Sequence, residues 1–378
     1  MPTLRQDTES LLKQLFPNPT GNNGWEVVCD VSIRLTGDLL KFEELARANN
    51  TNIGTVRNYF SNPRARQLVQ MLISTERLPF VSPRTSITEE TLFPDLAAFR
   101  KVIRFISFAM FHMAGTGRSR ECVQLFRVGM RIAMAPAPEI LIGVLVSIAC
   151  QSILIRQMVV LAPLMDADDL DGVSKVLHQS VNNRSSYTAA FQAEYKYFIS
   201  MVGQIETTNL FDLAGPEDDE KQQYLELTGN KARFDAAKSD ALDFARTELG
   251  EILRCIDNPL RYDAKVLQPQ NLDARLIAGV ILPVSMPTVG RMFGLLTELR
   301  MVGLYCATWA FRKRTLSWPS RLDDVAPRDL CKELVSDKTF TLERSPGLDA
   351  IRIKSEGIPA TEGQERQVIT VPTTPKPS

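Results

Sequence analysis

The sequence predicts a mainly α-helical protein: an array of helical hairpins, arranged as an α-solenoid-like stack or an irregular bundle, followed by a small C-terminal β-hairpin. Three observations predict this class. Apolar residues recur every three or four positions through most of the chain, breaks that contain Pro or Gly separate these runs, and the apolar period changes to two after Pro327. With 378 residues, of which 44% are apolar, the chain is long enough to bury a sizeable core.

The first well-defined hairpin begins at Asp95. Between Asp95 and Met113 the apolar residues fall on one helical stripe, and a Gly-Thr-Gly-Arg-Ser linker at 115–119 then interrupts the pattern. The pattern resumes from Arg120 to Met134. A linker this short predicts two antiparallel helices that pack on each other.

The most apolar run, Ile140–Ile155, belongs to the third predicted helix, which extends to about Leu161. Gln151 and Ser152 interrupt the run and Arg156 closes it, so it falls short of the roughly 20 apolar residues that cross a bilayer. We therefore expect a buried core helix and no transmembrane segment. The N-terminal sequence also lacks an apolar stretch of the length found in signal peptides, so we expect no secretion signal.

Helical periodicity returns at Ser186–Val202, Asp235–Ile256 and Gly290–Lys313. Two short alternating segments, one on each side of a Ser-Pro-Gly turn at 345–347, predict the β-hairpin. The inward-facing residues of these segments are Phe340 and Leu342 in the first strand and Ile351 and Ile353 in the second.

These patterns divide the chain into five parts. They are an N-terminal helical segment (1–92), a helical-hairpin block (93–212), a second helical block (213–327), a small β unit (328–358) and a disordered tail (359–378), in which Gln367–Val371 is a candidate short strand.

Composition excludes several classes of function. Lys plus Arg and Asp plus Glu number 44 each, so no global field attracts nucleic acid or an anionic membrane. The six cysteines lie far apart and there are only two histidines, which leaves little material for a metal site or a catalytic triad. The acidic run Asp166–Asp171 lacks the Gly and Glu of an EF-hand loop, and we expect it to begin a helix. No metal and no cofactor are predicted.

One segment favours DNA binding as an alternative function. Phe42–Tyr59 matches a helix-turn-helix pattern, in which Arg57 and Asn58 would face a DNA groove. Against this, polar Thr51 occupies the position of the usual buried aliphatic residue of the turn. Because matches of this length also arise by chance, we expect no nucleic-acid partner.

A second alternative is a hydrolase that uses Glu194 as an acid in a helical cleft. Glu194 is surrounded in sequence by aromatic residues, and such an environment can raise the pKa of a carboxyl group and prepare it for general-acid catalysis. A partner carboxylate is not identifiable from the sequence, and the simpler interpretation is a packing or salt-bridging role. The aromatic neighbours are Tyr187, Phe191, Tyr195, Tyr197 and Phe198.

The segment Ala307–Pro327 combines the end of an apolar helix, a basic Arg-Lys-Arg exit and a Trp-Pro break. A short Leu-Asp-Asp-Val-x-Pro element follows. The segment predicts a structural junction between the helical body and the β unit, made by residues Trp318, Pro319, Leu322, Val325 and Pro327.

Together with Asn18–Trp25 and the helical block from Phe93 to about Met201, this ending resembles a group of uncharacterised bacterial proteins, mostly from planctomycete-type genomes. Their members have a mainly helical body, usually behind an N-terminal membrane anchor, and end in a unit similar to the periplasmic part of type II secretion pseudopilins. The resemblance implies this architecture and a place in the cell envelope, and it implies no reaction. We therefore expect a non-catalytic interaction or structural protein with a protein partner.

Overall fold

The computed structural model describes residues 3–17, 20–37, 53–84, 91, 93–207, 210, 221–265, 267–281, 285–344, 351–359 and 370–371. Its α-helices are α1 (Thr3–Leu15), α2 (Gly24–Gly37), α3 (Ile53–Ser61), α4 (Pro63–Ser74), α5 (Pro94–Gly115), α6 (Ser119–Met134), α7 (Leu141–Leu161), α8 (Ala167–Asn182), α9 (Ser185–Gln204), α10 (Lys221–Thr228), α11 (Lys231–Asp257), α12 (Leu272–Ile281) and α13 (Ser285–Thr315). Its strands are β1 (Thr341–Arg344), β2 (Ile351–Lys354) and β3 (Thr370–Val371).

The prediction of a mainly α protein with a small C-terminal hairpin is confirmed. Helices α5 and α6 form the first hairpin, and the amide of Arg118 donates to the carbonyl of Met113 at 2.8 Å to close its turn. The most extensive contact between two helices, however, is that of α8 with α13, which lie far apart in the sequence. A solenoid is built from contacts between sequence neighbours, so the structure selects the irregular bundle from the two predicted arrangements.

The N-terminal segment is fixed to the bundle by residues that lie at the start of α2. The amide of Asn23 donates to the carbonyl of Val81 at 2.7 Å and accepts from its N–H at 3.1 Å. A side chain at Gly24 would collide with the ring of Phe80, which explains the glycine at this position. The indole of Trp25 is buried and meets Phe99 edge to face at 4.8 Å.

Two hydrophobic cores organise the described residues. The larger joins α2, α5–α8 and α13 to the β unit, and it reaches from Leu12 to Val371. The smaller lies between the second half of α9 and helices α10–α12. Helix α11 contributes to both: Ala241 and Ala245 belong to the smaller core, whereas Ile252 and Cys255 belong to the larger. The five-part division of the chain stays a prediction.

The β unit has the predicted hairpin with one more strand. Strands β1 and β2 are antiparallel, with Leu342 opposite Ile353 and Arg344 opposite Ile351. Strand β3 lies in the predicted tail, at the candidate strand Gln367–Val371, and pairs with β2. Most of the predicted tail, the turn at 345–350 and the loop at 213–220 lie outside the described residues.

Helix α7 ends at Leu161, as expected, but its apolar character is more continuous than the sequence suggested. Gln151 does not interrupt it, because its side chain is fully buried and donates to the hydroxyls of Ser147 at 3.0 Å and Tyr187 at 3.2 Å. The segment Leu141–Leu164 is therefore long and apolar enough to cross a membrane by length and composition, which corrects the expectation of a shorter run. In the structure α7 packs against α5, α6, α9 and α13.

The acidic run begins α8 as predicted, but it does so without a side-chain cap. The side chain of Asp166, at the N-cap position, forms no capping hydrogen bond. Asp168 and Asp171 instead form ion pairs with Arg314 of the basic exit of α13, each at 2.6 Å. The acidic start of one helix therefore meets the basic end of the other.

Candidate functional site

Glu194 lies on α9 and interacts with the first residue of α7. Its Oε2 atom accepts a hydrogen bond from the backbone N–H of Leu141 at 3.1 Å. The N-cap residue of α7 is Ile140, whose side chain offers no acceptor. Glu194 therefore caps α7 from a neighbouring helix, with its carboxylate at the positive end of the helix dipole.

Burial raises the pKa of the Glu194 carboxyl, as its aromatic sequence environment suggested, while the hydrogen bond from Leu141 opposes the shift. No second carboxyl group among the described residues contributes to this shift. The arrangement gives Glu194 the packing role that was the simpler interpretation, and its use as an acid stays a prediction.

A buried network of charges is centred on Arg84, and the sequence patterns did not predict it. Its guanidinium forms a fork with both carboxylate oxygens of Asp95 and also contacts Oε2 of Glu139 at 3.2 Å. The indole N–H of Trp25 donates to Asp95 at 2.8 Å, and Phe93 lies beneath the guanidinium at 4.5 Å. The Asp95 side chain is fully buried and that of Arg84 is 6% exposed. The network joins α2, the segment before α5, the start of α5 and the turn before α7.

The two carboxylates of this network, Asp95 and Glu139, differ in the contacts that hold them. Asp95 has three donated hydrogen bonds from Arg84 and Trp25. Burial raises the pKa of Glu139 to about 7; the charge of Arg84 lowers it and the charge of Asp95 raises it further. Since Arg84 is engaged by both acids and the side chain of Asp95 has no exposure, the network holds segments together and leaves no open place for a substrate.

A continuous surface lies where α3, α5 and α7 run side by side. On α5 the outward stripe consists of Arg100, Arg104, Phe108 and Phe111, of which the two arginines are exposed and the two phenylalanines half-buried. Neither arginine forms an ion pair with any residue that the structure describes. Both act electrostatically on the thiol of Cys150, so they border α7.

On α7 the outward stripe is apolar. Ile142 is 48% exposed, and half-buried Leu145, Ala149 and Val160 follow on the same side of the helix. Arg156 lies on this stripe and approaches Glu298 of α13 at 4.0 Å. Ile142 and Arg156 are the exposed residues of α7, and its other residues are buried or half-buried.

Helix α3 forms the third edge of this surface and carries Arg57 and Asn58, both exposed. Phe60 of α3 stacks on His112 of α5 at 5.4 Å. Burial lowers the pKa of that histidine, and the charges of Arg118 and Arg57 lower it further. Residues 42–52, which would hold the first helix and the turn of the predicted helix-turn-helix, lie outside the described residues.

We call this surface the α3–α5–α7 face. Its members are Arg57, Asn58, Arg100, Arg104, Phe108, Phe111, Ile142, Leu145, Ala149, Arg156 and Val160. Its α3 and α5 residues belong to a basic part of the chain, because residues 53–134 contain twelve Lys and Arg but only five Asp and Glu. The equal totals of the whole chain conceal this local excess.

The predicted junction residues lie between α13 and the β unit. Trp318 packs edge to face on Trp309 of α13 at 4.9 Å, and Arg344 of β1 donates to the carbonyl of Pro319 at 2.6 Å. Pro319 and Leu322 are buried, Val325 is half-buried and Pro327 is exposed. The structure therefore brings Trp318, Pro319 and Leu322 into the contact and leaves Pro327 outside it.

Another polar concavity is an open groove of about 550 Å³ between α6 and α8. Its walls carry charges of both signs, including Arg127, which pairs with Glu76 at 3.4 Å. Within the described ranges, no three His, Cys, Asp or Glu side chains form a group that could hold a metal ion. Comparison with protein-family models, with curated proteins and with solved structures finds no match to this chain.

Proposed function

We propose that the protein is a non-catalytic interaction module that binds a protein partner on the α3–α5–α7 face. The observation that carries this proposal is the outward side of α7, an apolar helix on which Ile142 is 48% exposed and Leu145, Ala149 and Val160 are half-buried. An apolar helix of this kind is normally enclosed by its own protein. An open one is typical of an interaction site.

The chemistry of the face supports a protein as the occupant. Aromatic residues and Arg are enriched at protein interfaces, whereas Lys is depleted. Every basic residue of the face is an arginine, and Phe108 and Phe111 lie beside Arg104. The cell envelope is the location that the resemblance supports, and we include it in the proposal.

The roles of Glu194 and Asp95 support a non-catalytic function. Glu194 caps α7, and Asp95 is held by Arg84 and Trp25. General acid catalysis requires a carboxyl group within reach of a bound substrate. Both groups are engaged in holding helices together.

A pair of substitutions on the α7 stripe tests the proposal in the native host. The variant Leu145→Glu/Ala149→Glu places two charges on the face, and Leu225→Glu/Leu260→Glu is the matched control, because both of those leucines are 56% exposed away from the face. We expect the partner to co-purify with the wild type and the control but not with the first variant.

A photo-crosslinking residue at position 149 completes the test. It should give one discrete adduct, whereas the same residue at position 225 should not. Thermal melting establishes that each variant is folded. Equal recovery of the same proteins by all three chains, or no adduct at position 149, would contradict the proposal.

DNA binding is a second candidate, and the exposure of Arg57 and Asn58 beside the basic excess of residues 53–134 favours it. A labelled 20-base-pair duplex tests it by fluorescence anisotropy. A DNA-binding protein would bind with an affinity that falls steeply with salt, and Arg57→Ala would weaken binding. Weak binding that Arg57→Ala leaves unchanged would eliminate this candidate.

A further inference from the structure

We infer that the occupant of the α3–α5–α7 face is an amphipathic α-helix whose apolar stripe is flanked by Asp or Glu on one side. This inference rests on the proposed function and names the chemistry of its partner. It follows from the length of the apolar stripe, from its small central residues and from the one-sided arrangement of the arginines.

The length of the stripe matches a helix. From Ile142 to Val160 the apolar side of α7 extends over 18 residues, or about 27 Å at 1.5 Å per residue. Ala149 and Ser152 lie near its middle and are half-buried. Their small side chains allow a second helix to approach to the distance of about 8–10 Å that packed helix axes keep.

The charges of the face define one side of the occupant. Arg100 and Arg104 lie one turn apart on α5, exposed, along the edge where α5 borders α7. Two acidic residues spaced by four on a bound helix would face them in register. Guanidinium and carboxylate form two parallel hydrogen bonds, so each such pair also fixes orientation.

The part of the stripe that approaches α13 differs. Arg156 lies on the stripe there, is 78% exposed and already has Glu298 of α13 at 4.0 Å, so positive and negative charge occur together. An occupant with acidic residues on both sides would bring them close to Glu298. Charge complementarity therefore favours a bound helix that carries acidic residues only on the side facing α5.

These features disfavour the other occupants. A second copy of the chain that used the same face would place four arginines against an identical set, and like charges repel. A nucleic acid would leave the apolar stripe from Ile142 to Val160 without a contact, since phosphates bind basic groups. A lipid surface would meet one strongly exposed apolar side chain on the stripe, Ile142.

Synthetic peptides test the inference. The probe is a dye-labelled 18-residue helix with a Leu and Ala stripe and Glu residues spaced by four along one flank; its control has Lys at the same positions. Fluorescence anisotropy with the full chain gives both affinities at low and high salt. We expect the Glu peptide to bind at least tenfold more tightly than the Lys peptide, with the difference reduced by salt.

Charge reversal on the protein sharpens the test. Arg100→Glu/Arg104→Glu should reverse the preference, whereas Arg120→Glu/Lys175→Glu, which makes the same charge change at exposed residues of α6 and α8, should not. Equal affinity for both peptides, or no reversal, would overturn the inference. So would arginine-dependent binding of duplex DNA or phosphatidylglycerol vesicles with no peptide bound, or dimerisation of the chain that Arg100→Glu/Arg104→Glu strengthens.

The outcomes distinguish the inference from the proposed function. If Leu145→Glu/Ala149→Glu releases the native partner but Arg100→Glu/Arg104→Glu does not, the face binds a protein of different charge and only the inference fails. If neither variant releases a partner, the proposed function fails as well.

Discussion

Two buried glutamates reach the same pKa in different environments. Glu139 lies beside Arg84 and Asp95, whereas Glu248 of α11 is buried and forms no hydrogen bond or ion pair with any residue that the structure describes. Burial raises the pKa of each to about 7. For Glu139 the charges of Arg84 and Asp95 oppose each other; for Glu248 burial acts alone.

A raised pKa therefore does not identify the role of a carboxyl group. Glu139 belongs to a network that joins four segments of the larger core. Glu248 lies on α11 where the helix passes from the smaller core, at Ala245, to the larger, at Ile252. At Glu139 we expect the stability of the fold to respond to the loss of the cation Arg84. At Glu248 we expect it to respond to the loss of the glutamate's own charge.

The largest effect is expected from Arg84→Met. Removal of the guanidinium leaves the fully buried Asp95 without its cation, and breaking one half of a buried ion pair costs about 3–5 kcal/mol. Urea denaturation at pH 7 measures the loss. Asp95→Asn should cost much less in this background than in the wild type, because the two residues are coupled.

The cost of Arg84→Met should also grow from pH 5 to pH 8. At pH 5 the folded state holds Glu139 protonated, since its pKa is about 7, and Arg84 then stabilises only one carboxylate. A cost below about 1 kcal/mol, or one independent of pH, would contradict the role given to Arg84.

A smaller effect is expected from Glu248→Gln. Because the folded pKa is about 7 and the ordinary value about 4.5, the contribution of this group is fully present below pH 4.5 and is lost as the pH rises through 7. The amide keeps the neutral form at every pH. We expect it to stabilise the fold at pH 8 by about 2–3 kcal/mol, with little gain at pH 4.5. Equal differences at both pH values would show that Glu248 does not titrate in this range.

Glu194 is intermediate between Glu139, which lies in a charge network, and Glu248, which has no partner among the described residues. Its partner is the backbone N–H of Leu141. Glu194→Ala removes the cap of α7 and should cost about 1 kcal/mol, whereas Glu194→Gln keeps an acceptor and should cost less. Thermal melting of both variants shows which of them loses more stability. An equal loss of stability in both variants would show that the negative charge matters more than the hydrogen-bond acceptor.

The smallest effect is expected at an exposed pair of the same chemical type as Arg84 and Asp95. Arg233 forms two hydrogen bonds with Asp273, at 2.6 and 2.7 Å, on the surface of the smaller core. Water screens this pair, so Arg233→Met should shift the urea midpoint only slightly. A shift as large as that of Arg84→Met would remove the distinction between buried and exposed pairs.

The sequence predicts the helices well because their signal is local. The stripe that begins at Asp95 predicted 95–113, and α5 spans Pro94–Gly115. The pairing of α8 with α13 was not predictable, since periodicity identifies which side of a helix is apolar but not which distant helix covers it. Glu194 was correctly placed on a helix, but its contact with Leu141 depends on two helices meeting in space.

The sequence contains a signal for each of two buried carboxyl groups that were not predicted, those of Asp95 and Glu248. Asp95 lies on the same stripe as Phe99 and Ile106, and Glu248 lies on the same stripe as Ala245 and Ile252. An acid on an apolar stripe indicates a buried carboxyl group, although the identity of its cation requires the fold. The α3–α5–α7 face was missed for another reason, because Arg100 and Arg104 have the spacing of an ordinary solvated helix side.

The packing of α13 on α8 has a consequence for the order in which the chain is made. Helix α8 is complete at Asn182, but α13 begins at Ser285, so about a hundred residues must be synthesised between them. At about 5–20 residues per second the ribosome needs about 5–20 s for that interval. The smaller core, built between Phe198 and Ile277, lies within this interval and can form first. The apolar side of α8 is meanwhile open to chaperones in every nascent chain.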